Sequence, residues 1–237
     1  MIVRVSQAGP VDAAFEAPPS KSYTHRALIA GALAAGRSRL AGPLRAADTE
    51  LTARGLEQLG VPVEWLPGEV TVTGCNGAFP APGEVTIDCG NSGTTLRLLT
   101  SAALLARQAV VLTGSARMLE RPVGPLAGAL QALGGDVAFT GQPGFPPIRV
   151  SGSLRGGKAA IDGSVSSQFV SSVLMAAPYA DEDVELTLPA TVASRSYLDV
   201  TADVMLRFGA RFDRRGYEWF RVESGAPYRG RDYQIEG

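Results

Sequence analysis

The chain has 237 residues, 45% hydrophobic and 19% charged, with a formal net charge of −1; this is room for one large domain or two small ones with an ample core, and it excludes a general nucleic-acid binder, which needs a basic surface. Two cysteines, Cys75 and Cys89, and a single histidine make neither a disulfide framework nor a metal site of Cys or His ligands. The first residues hold no signal-peptide core, and the most apolar run, Leu96 to Leu112, is broken by Arg97, Arg107 and Gln108, so no membrane span is expected and a reduced, cytoplasmic setting is.

Alternation at Ile2, Val3 and Val5 predicts an opening strand, and Ala14 to Ala17 a second. Pro18-Pro19 stops it, and Ser20-Lys21-Ser22 opens a helix that runs to Ala35 and ends at Gly36. Ser38 to Ala41 reads as a strand. A helix from Asp48 to Leu59 ends at Gly60, and Val61–Trp65 with Val70–Thr73 reads as a hairpin. The order then returns twice. Val85–Asp88, a helix from Ser92 to Ala106, Ala109–Leu112, a helix from Pro122 to Leu133, and strands near Val137–Thr140 and Ile148–Val150 form the second pass. Ala159–Ile161, a helix from Ser166 to Pro178, Val184–Leu188, a helix from Tyr197 to Phe208, and strands at Arg211–Asp213 and Trp219–Val222 form the third.

Three markers support the repeat. The second helices end in Leu-Gly, Leu-Gly and Phe-Gly at Gly60, Gly134 and Gly209, 74 and then 75 residues apart. Ile87-Asp88 and Ile161-Asp162 precede equivalent helix starts, and Arg26 and Arg97 hold matching places in the first helices. The expected fold is therefore α/β (α+β): three β-α-β-α-β-β repeats around a pseudo-threefold axis. The Ala- and Leu-rich first helices have little polar face, so they are expected inside, with the sheets outside.

Each unit begins its inner helix with small polar residues: Ser20-Lys21-Ser22, Asn91-Ser92-Gly93-Thr94 and Ser166-Ser167-Gln168. Threefold packing would bring three positive helix ends, several hydroxyls and Lys21, Arg26, Arg97 and Arg121 to one volume, a site for a ligand with more than one anionic group. Charge-assisted contacts contribute about 1.5–3 kcal/mol each. Read singly, the same residues are ordinary. Lys21 and Arg26 would be solvated charges, Arg97 a buried ion-pair partner, and Tyr197 a core-edge residue. Asp48, Asp162, Ser166, Ser167 and Gln168 would be helix caps, and His25 a helix-surface residue. Co-location at equivalent helix starts is what favours a site. No G-x-x-x-x-G-K-[ST] or strand-linked G-x-G-x-x-G sequence is present, so nucleotide cradles of those kinds are unsupported.

Five segments in order resemble the enolpyruvyl transferases, and within them the members acting on shikimate 3-phosphate. Pro18-Pro19-Ser20-Lys21-Ser22-Tyr23-Thr24-His25-Arg26 is similar to the family's substrate-binding opening, and Gly90-Asn91-Ser92-Gly93-Thr94-Thr95-Leu96-Arg97 to its phosphoenolpyruvate loop. Leu119-Glu120-Arg121-Pro122 resembles its Arg-Pro element, Ser166-Ser167-Gln168-Phe169-Val170-Ser171 its phosphate-binding helix start, and Ser194-Arg195-Ser196-Tyr197 its later Ser-x-x-Tyr contact. The resemblance implies that Lys21 lies between both substrates and is the catalytic residue on this chain. It implies that Ser22, Arg26, Ser166, Ser167, Gln168, Ser194 and Tyr197 hold shikimate 3-phosphate. Asn91, Gly93, Thr94, Arg121 and Gln168 would serve phosphoenolpyruvate, with Arg121 a better direct cation than Arg97. In the family the enolpyruvyl double bond is protonated, the 5-hydroxyl attacks and phosphate leaves, with no metal or organic cofactor.

Family members have two domains of similar build with substrates between them. The resemblance makes residues 15–228 one such domain, with repeats of about 15–80, 81–152 and 153–228, and segments 1–14 and 229–237 leading to a second. The expected partners are the two small substrates and the C-terminal half of the same enzyme, in a monomer, with no nucleic acid and no membrane. Such a half would bind shikimate 3-phosphate without turning it over, the remaining acid–base residues lying in the other half. A sister enzyme acting on UDP-N-acetylglucosamine typically opens with Lys-Asn, whereas Ser22 follows Lys21. A non-catalytic phosphate-binding module and an RNA 3′-phosphate cyclase, for which His25 would be the only catalytic histidine, are the readings of other classes.

Overall fold

The computed structural model describes residues 3–4, 9–10, 12–14 and 17–236. The strands expected near Ile2–Val5 and Ala14–Ala17 fall largely outside the described residues.

The first unit contains α1 (Lys21–Leu33), β1 (Arg37–Ala41), α2 (Ala47–Gln58), β2 (Val63–Leu66) and β3 (Glu69–Thr73). The second contains β4 (Val85–Asp88), α3 (Gly93–Ala102), β5 (Val110–Thr113), α4 (Gly124–Ala132), β6 (Gly135–Phe139) and β7 (Ile148–Gly152). The third contains β8 (Gly157–Ala160), α5 (Ser167–Ala176), β9 (Val184–Thr187), α6 (Ser196–Arg207), β10 (Phe212–Arg215) and β11 (Trp219–Val222), and β12 (Asp232–Gln234) follows. Single 3-10 turns, Ala103–Leu105 and Ala177–Tyr179, prolong α3 and α5 to the ends expected from sequence.

Local chemistry sets the boundaries. Ser20, Ser92 and Ser166 each cap an inner helix, accepting from the backbone N–H of Tyr23, Thr95 and Gln168. Asp88 and Asp162 turn the chain from strand towards helix, each accepting at 2.8 Å from the N–H two residues on, Gly90 and Ser164. Gly60, Gly134 and Gly209 have φ of +90°, +94° and +96°, the left-handed conformation that closes a helix with little strain only for glycine. At two of these ends the next residue donates back across the cap, Val61 to the Leu56 carbonyl and Ala210 to that of Met205, each at 3.0 Å.

The inner helices are buried because they are apolar on every side: in α1, Ala27, Leu28, Ala30, Ala32 and Leu33 have no exposure. Around them α2 joins α1 to α3, α4 packs on α5, and α6 joins α5 to α1. Three four-stranded sheets cover this helical core, with orders β12-β1-β3-β2, β4-β5-β7-β6 and β8-β9-β11-β10. In each, the first two strands are parallel and the other pairs antiparallel. Identical topology in three units is the pseudo-threefold arrangement expected from the repeat. Among the described residues no helix is long and apolar enough to cross a membrane.

One boundary is corrected. The place that β4 and β8 hold in their sheets is held in the first sheet by β12, with Leu40 opposite Tyr233. The sequence reading set 229–237 outside the domain. Instead the Ala35 N–H donates to the Tyr228 carbonyl, Gly230 N–H to Ala35, and Ile235 N–H to Ala41. Tyr228, Tyr233 and Ile235 are buried in the common core. Parallel pairing to β1 satisfies an edge that would otherwise expose backbone donors and acceptors.

Candidate active-site face

The starts of α1, α3 and α5 are joined by side chains from all three units. At α1, Lys21 is exposed and its Nζ lies 2.8 Å from Asp48 Oδ2 in the first turn of α2. Asp48 is thus an ion-pair partner. The expected capping position belongs to Ala46, where the backbone N–H donates to Thr49 Oγ1 at 3.0 Å. An exposed pair of this kind contributes about 0–1 kcal/mol, so an incoming anion can recruit the Lys21 ammonium at small expense.

At α3 the turn Gly90–Gly93 carries the chain from β4 into the helix. Gly90 has φ +54°, and its carbonyl accepts from Ser115 N–H at 2.8 Å, fixing the segment that leads to Arg121 against this turn. A Cβ on Gly93 would lie 2.8 Å from Arg121 Nη1 and 3.7 Å from Arg97 Nη1. Glycine here lets two guanidinium groups close over a helix N-terminus. Burial, and then repulsion from Arg121, holds the Arg97 pKa below its usual value. Arg97 is not the ion-pair partner that one reading of the sequence made it. Its Nη1 donates to Gln168 Oε1 at 2.9 Å and Ser166 Oγ at 3.4 Å, and its guanidinium lies 5.2 Å from the Phe169 ring centre. Among the described residues neither Arg97 nor Arg121 has a carboxylate within ion-pair distance. Two adjacent cations at a positive helix end, with no counter-charge among the described residues, favour an anion.

Gln168 closes the link between units, its Nε2 donating to Thr94 Oγ1 at 2.9 Å. Ser166 caps α5, while Ser167 beside it is buried at 3% exposure. The Ala193 N–H donates to the Gly163 carbonyl at 3.0 Å, and the next residue, Ser194, has φ +55°, a left-handed conformation rare outside glycine. Tyr197, expected at a core edge, is 43% exposed. Asn91 is exposed at the tip of the α3 turn.

Two residues lie elsewhere than the sequence suggested. Arg26 is 1% exposed, so it is not a solvated charge. Its Nε donates to Thr201 Oγ1 at 2.7 Å, Nη1 to the Ser22 carbonyl at 3.1 Å, and Nη2 to Ser171 Oγ at 3.1 Å and the Tyr197 carbonyl at 3.3 Å. Burial lowers its pKa to about 10, which leaves it charged at neutral pH. It ties α1, α5 and α6 together behind Ser22 and Tyr197. His25, read as a helix-surface residue, has no exposure. Its Nδ1 is 2.8 Å from Thr52 Oγ1, which is 2.8 Å from Thr95 Oγ1. Thr52 and Thr201 were not singled out from sequence, and Ser171 was named only within the family-like segment Ser166–Ser171. The available signal was the all-round apolar face of α1, which buries any polar residue past its first turn and requires it to find partners.

The comparisons agree with this architecture. A family model described as EPSP synthase (3-phosphoshikimate 1-carboxyvinyltransferase) matches residues 5–237. The chain is 84% identical over 237 residues to the 3-phosphoshikimate 1-carboxyvinyltransferase of Methanoculleus marisnigri, covering 100% of this chain and 56% of that protein. It is 46% identical over 238 residues to the one from Methanothermobacter thermautotrophicus, covering 100% and 55%. The solved structure of EPSP synthase from Acinetobacter baumannii superposes with a TM-score of 0.82 at 28% identity, over 93% of this chain and 49% of that one. The chain spans about half the length of the curated relatives it matches. Its repeat topology, its five ordered segments and these matches together make it a member of the EPSP synthase family.

Proposed function

We propose that this chain supplies one half of a site that transfers the enolpyruvyl group of phosphoenolpyruvate to the 5-hydroxyl of shikimate 3-phosphate, releasing inorganic phosphate. The observation that carries the reading is the meeting of the capped starts of α3 and α5 with Arg97 and Arg121, two cations that lack carboxylate partners among the described residues. Ser22, Ser166, Ser167, Ser194 and Tyr197 hold shikimate 3-phosphate. Ser167 does so from the first turn of α5, where free backbone N–H groups meet a phosphate. Arg26 acts from behind, holding the backbone of Ser22 and Tyr197. Gly93 and Arg121 receive phosphoenolpyruvate, Asn91 and Thr94 shape its loop, and Gln168 reaches both ligands.

In the reaction, C3 of phosphoenolpyruvate gains a proton and the 5-hydroxyl oxygen bonds to C2 as it loses its own. The tetrahedral adduct then expels inorganic phosphate while C3 gives a proton back, restoring the double bond. Lys21, exchanged from Asp48 to the substrates, stabilises the charge developing between them, and Arg121 stabilises the departing phosphate. The remaining acid–base groups come from a second domain, the C-terminal half of the same enzyme, in a cytoplasmic monomer.

Titration calorimetry tests the binding half: shikimate 3-phosphate should bind the 237-residue chain, and Lys21→Met should weaken that binding. An absence of binding refutes it. Robust turnover by the chain without a second half refutes the half-site reading. UDP-N-acetylglucosamine, tested in parallel, should not bind.

A further inference from the structure

A buried polar chain runs from the interior of α1 to the cap of the anion-receiving helix. His25 Nδ1 meets Thr52 Oγ1 at 2.8 Å, and Thr52 Oγ1 meets Thr95 Oγ1 at 2.8 Å. Thr95 Oγ1 lies 2.7 Å from Ser92 Oγ and 3.1 Å from the Asp48 carbonyl. Ser92 Oγ in turn accepts from the Thr95 N–H at 3.3 Å as the cap of α3. His25, Thr52 and Thr95 have no exposure and Ser92 only 1%. The far end is open: His25 Nε2 is buried without a hydrogen-bond partner among the described residues.

Proton counting and the cost of an orphaned donor favour one direction for these bonds. Burial lowers the His25 pKa to about 3, so at neutral pH the ring carries one N–H. The Asp48 carbonyl can only accept, and Ser92 Oγ already accepts from the Thr95 N–H, so the single Thr95 proton goes to one of these two oxygens. The Thr52 proton then points to Thr95, and a Thr52 lone pair remains for an N–H on Nδ1. Nε2 is left as a bare lone pair, a smaller penalty than an orphaned N–H would be. Aligned bonds of this kind strengthen one another.

We propose that His25, Thr52 and Thr95 are positioning residues: a neutral, one-directional relay that orients Ser92 and so sets the geometry with which the start of α3 receives the phosphate of its ligand. The relay deepens the function proposed above and rests on it for the identity of that ligand. Lys21 meets the same device from outside, because Asp48 presents its carboxylate to Lys21 and its carbonyl to Thr95. The two substrate-facing groups of α1 and α3 are thereby referenced to one residue of α2.

The test uses the sole imidazole of the chain as its reporter. Nitrogen-15 NMR at pH 7 should show Nδ1 protonated and Nε2 bare; the opposite tautomer overturns the relay, and this arm needs no variant. Ser92→Ala, at the other end, should move the His25 ring signals. Unmoved signals overturn the coupling. Inorganic phosphate, used as the probe, should shift the same signals in the unsubstituted chain. Thr52→Val should weaken phosphate binding at least threefold and Thr52→Ser should restore it. A valine variant that binds normally, or a serine variant that does not recover, overturns the positioning role, since loss of packing alone is not repaired by a hydroxyl. If phosphate does not bind at all while Ser92→Ala still moves the His25 signals, the anion site proposed above fails and the coupling stands.

Discussion

Acidification from pH 6.5 to 5 should destabilise this protein through one residue. His25 is wholly buried and its pKa is lowered to about 3, first by loss of solvation, with Asp48 opposing and Arg26 and Lys21 reinforcing the shift. In the unfolded chain the same ring titrates near 6.5. Between these values the unfolded state binds one more proton than the folded state. Stability is therefore complete above about pH 6.5 and falls by about 1.4 kcal/mol per pH unit as pH drops towards 3. From pH 6.5 to 5 the expected loss is about 2 kcal/mol, a large fraction of the ~5–15 kcal/mol that holds a typical domain together. The carboxylates with lowered values, Asp162, Asp183 and Asp199, have an unshifted value of 3.8 and act below this window. Urea unfolding at pH 6.5, 6.0, 5.5 and 5.0 measures the slope. His25→Asn, which keeps a polar group towards Thr52 but cannot titrate, should flatten it. Equal losses in the two proteins would falsify the assignment of a neutral, buried His25.

Further substitutions separate ligand contacts from packing. Arg121→Ala should weaken phosphoenolpyruvate binding at least tenfold, for a lost contact of about 1.5–3 kcal/mol, with little change in melting temperature; calorimetry showing a larger effect for Arg97→Ala would reverse the two roles. Arg97→Ala should chiefly lower stability, by about 1–2 kcal/mol, because it cuts the tie to Gln168 and Ser166. Gly93→Ala should leave the fold intact, since alanine is the better helix residue, yet push Arg121 away and weaken phosphoenolpyruvate binding; unchanged affinity would show that the 2.8 Å approach has no part in binding. Arg26→Lys keeps the charge but cannot span Thr201, Ser22, Ser171 and Tyr197. It should lower the melting temperature and loosen shikimate 3-phosphate binding together, and a retained melting temperature would contradict the buried role.

The elements best read from sequence are those fixed by local hydrogen bonding. The inner-helix starts carry their own caps at Ser20, Ser92 and Ser166, and the second-helix ends their own left-handed glycines at Gly60, Gly134 and Gly209. Both signals need only a few consecutive residues, and their recurrence gave the repeat. Strand β12 left no such mark. Its three residues bury one side chain, and its partner β1 is some 190 residues earlier in the chain. The site divides in the same way. Lys21, Gly93, Thr94, Ser166 and Gln168 lie at helix starts that the sequence marks, whereas Arg121 took its role from the family resemblance. Thr52 and Thr201 look like ordinary helix threonines until packing sets them against His25 and Arg26.

By itself, then, the sequence determined three repeated units, their inner and outer helices, and the residues offered at three helix N-termini, because period, caps and glycines act within one or two turns of chain. Only the tertiary structure decided that β12 completes the first sheet and that Arg26 lies in the core, bonded to Ser22, Ser171, Tyr197 and Thr201. It also decided that Asp48 faces Lys21 and that His25 is joined to the turn Gly90–Gly93. Those outcomes depend on which buried polar groups meet across helices after the apolar faces have packed, and on the requirement that each buried polar group find a partner there.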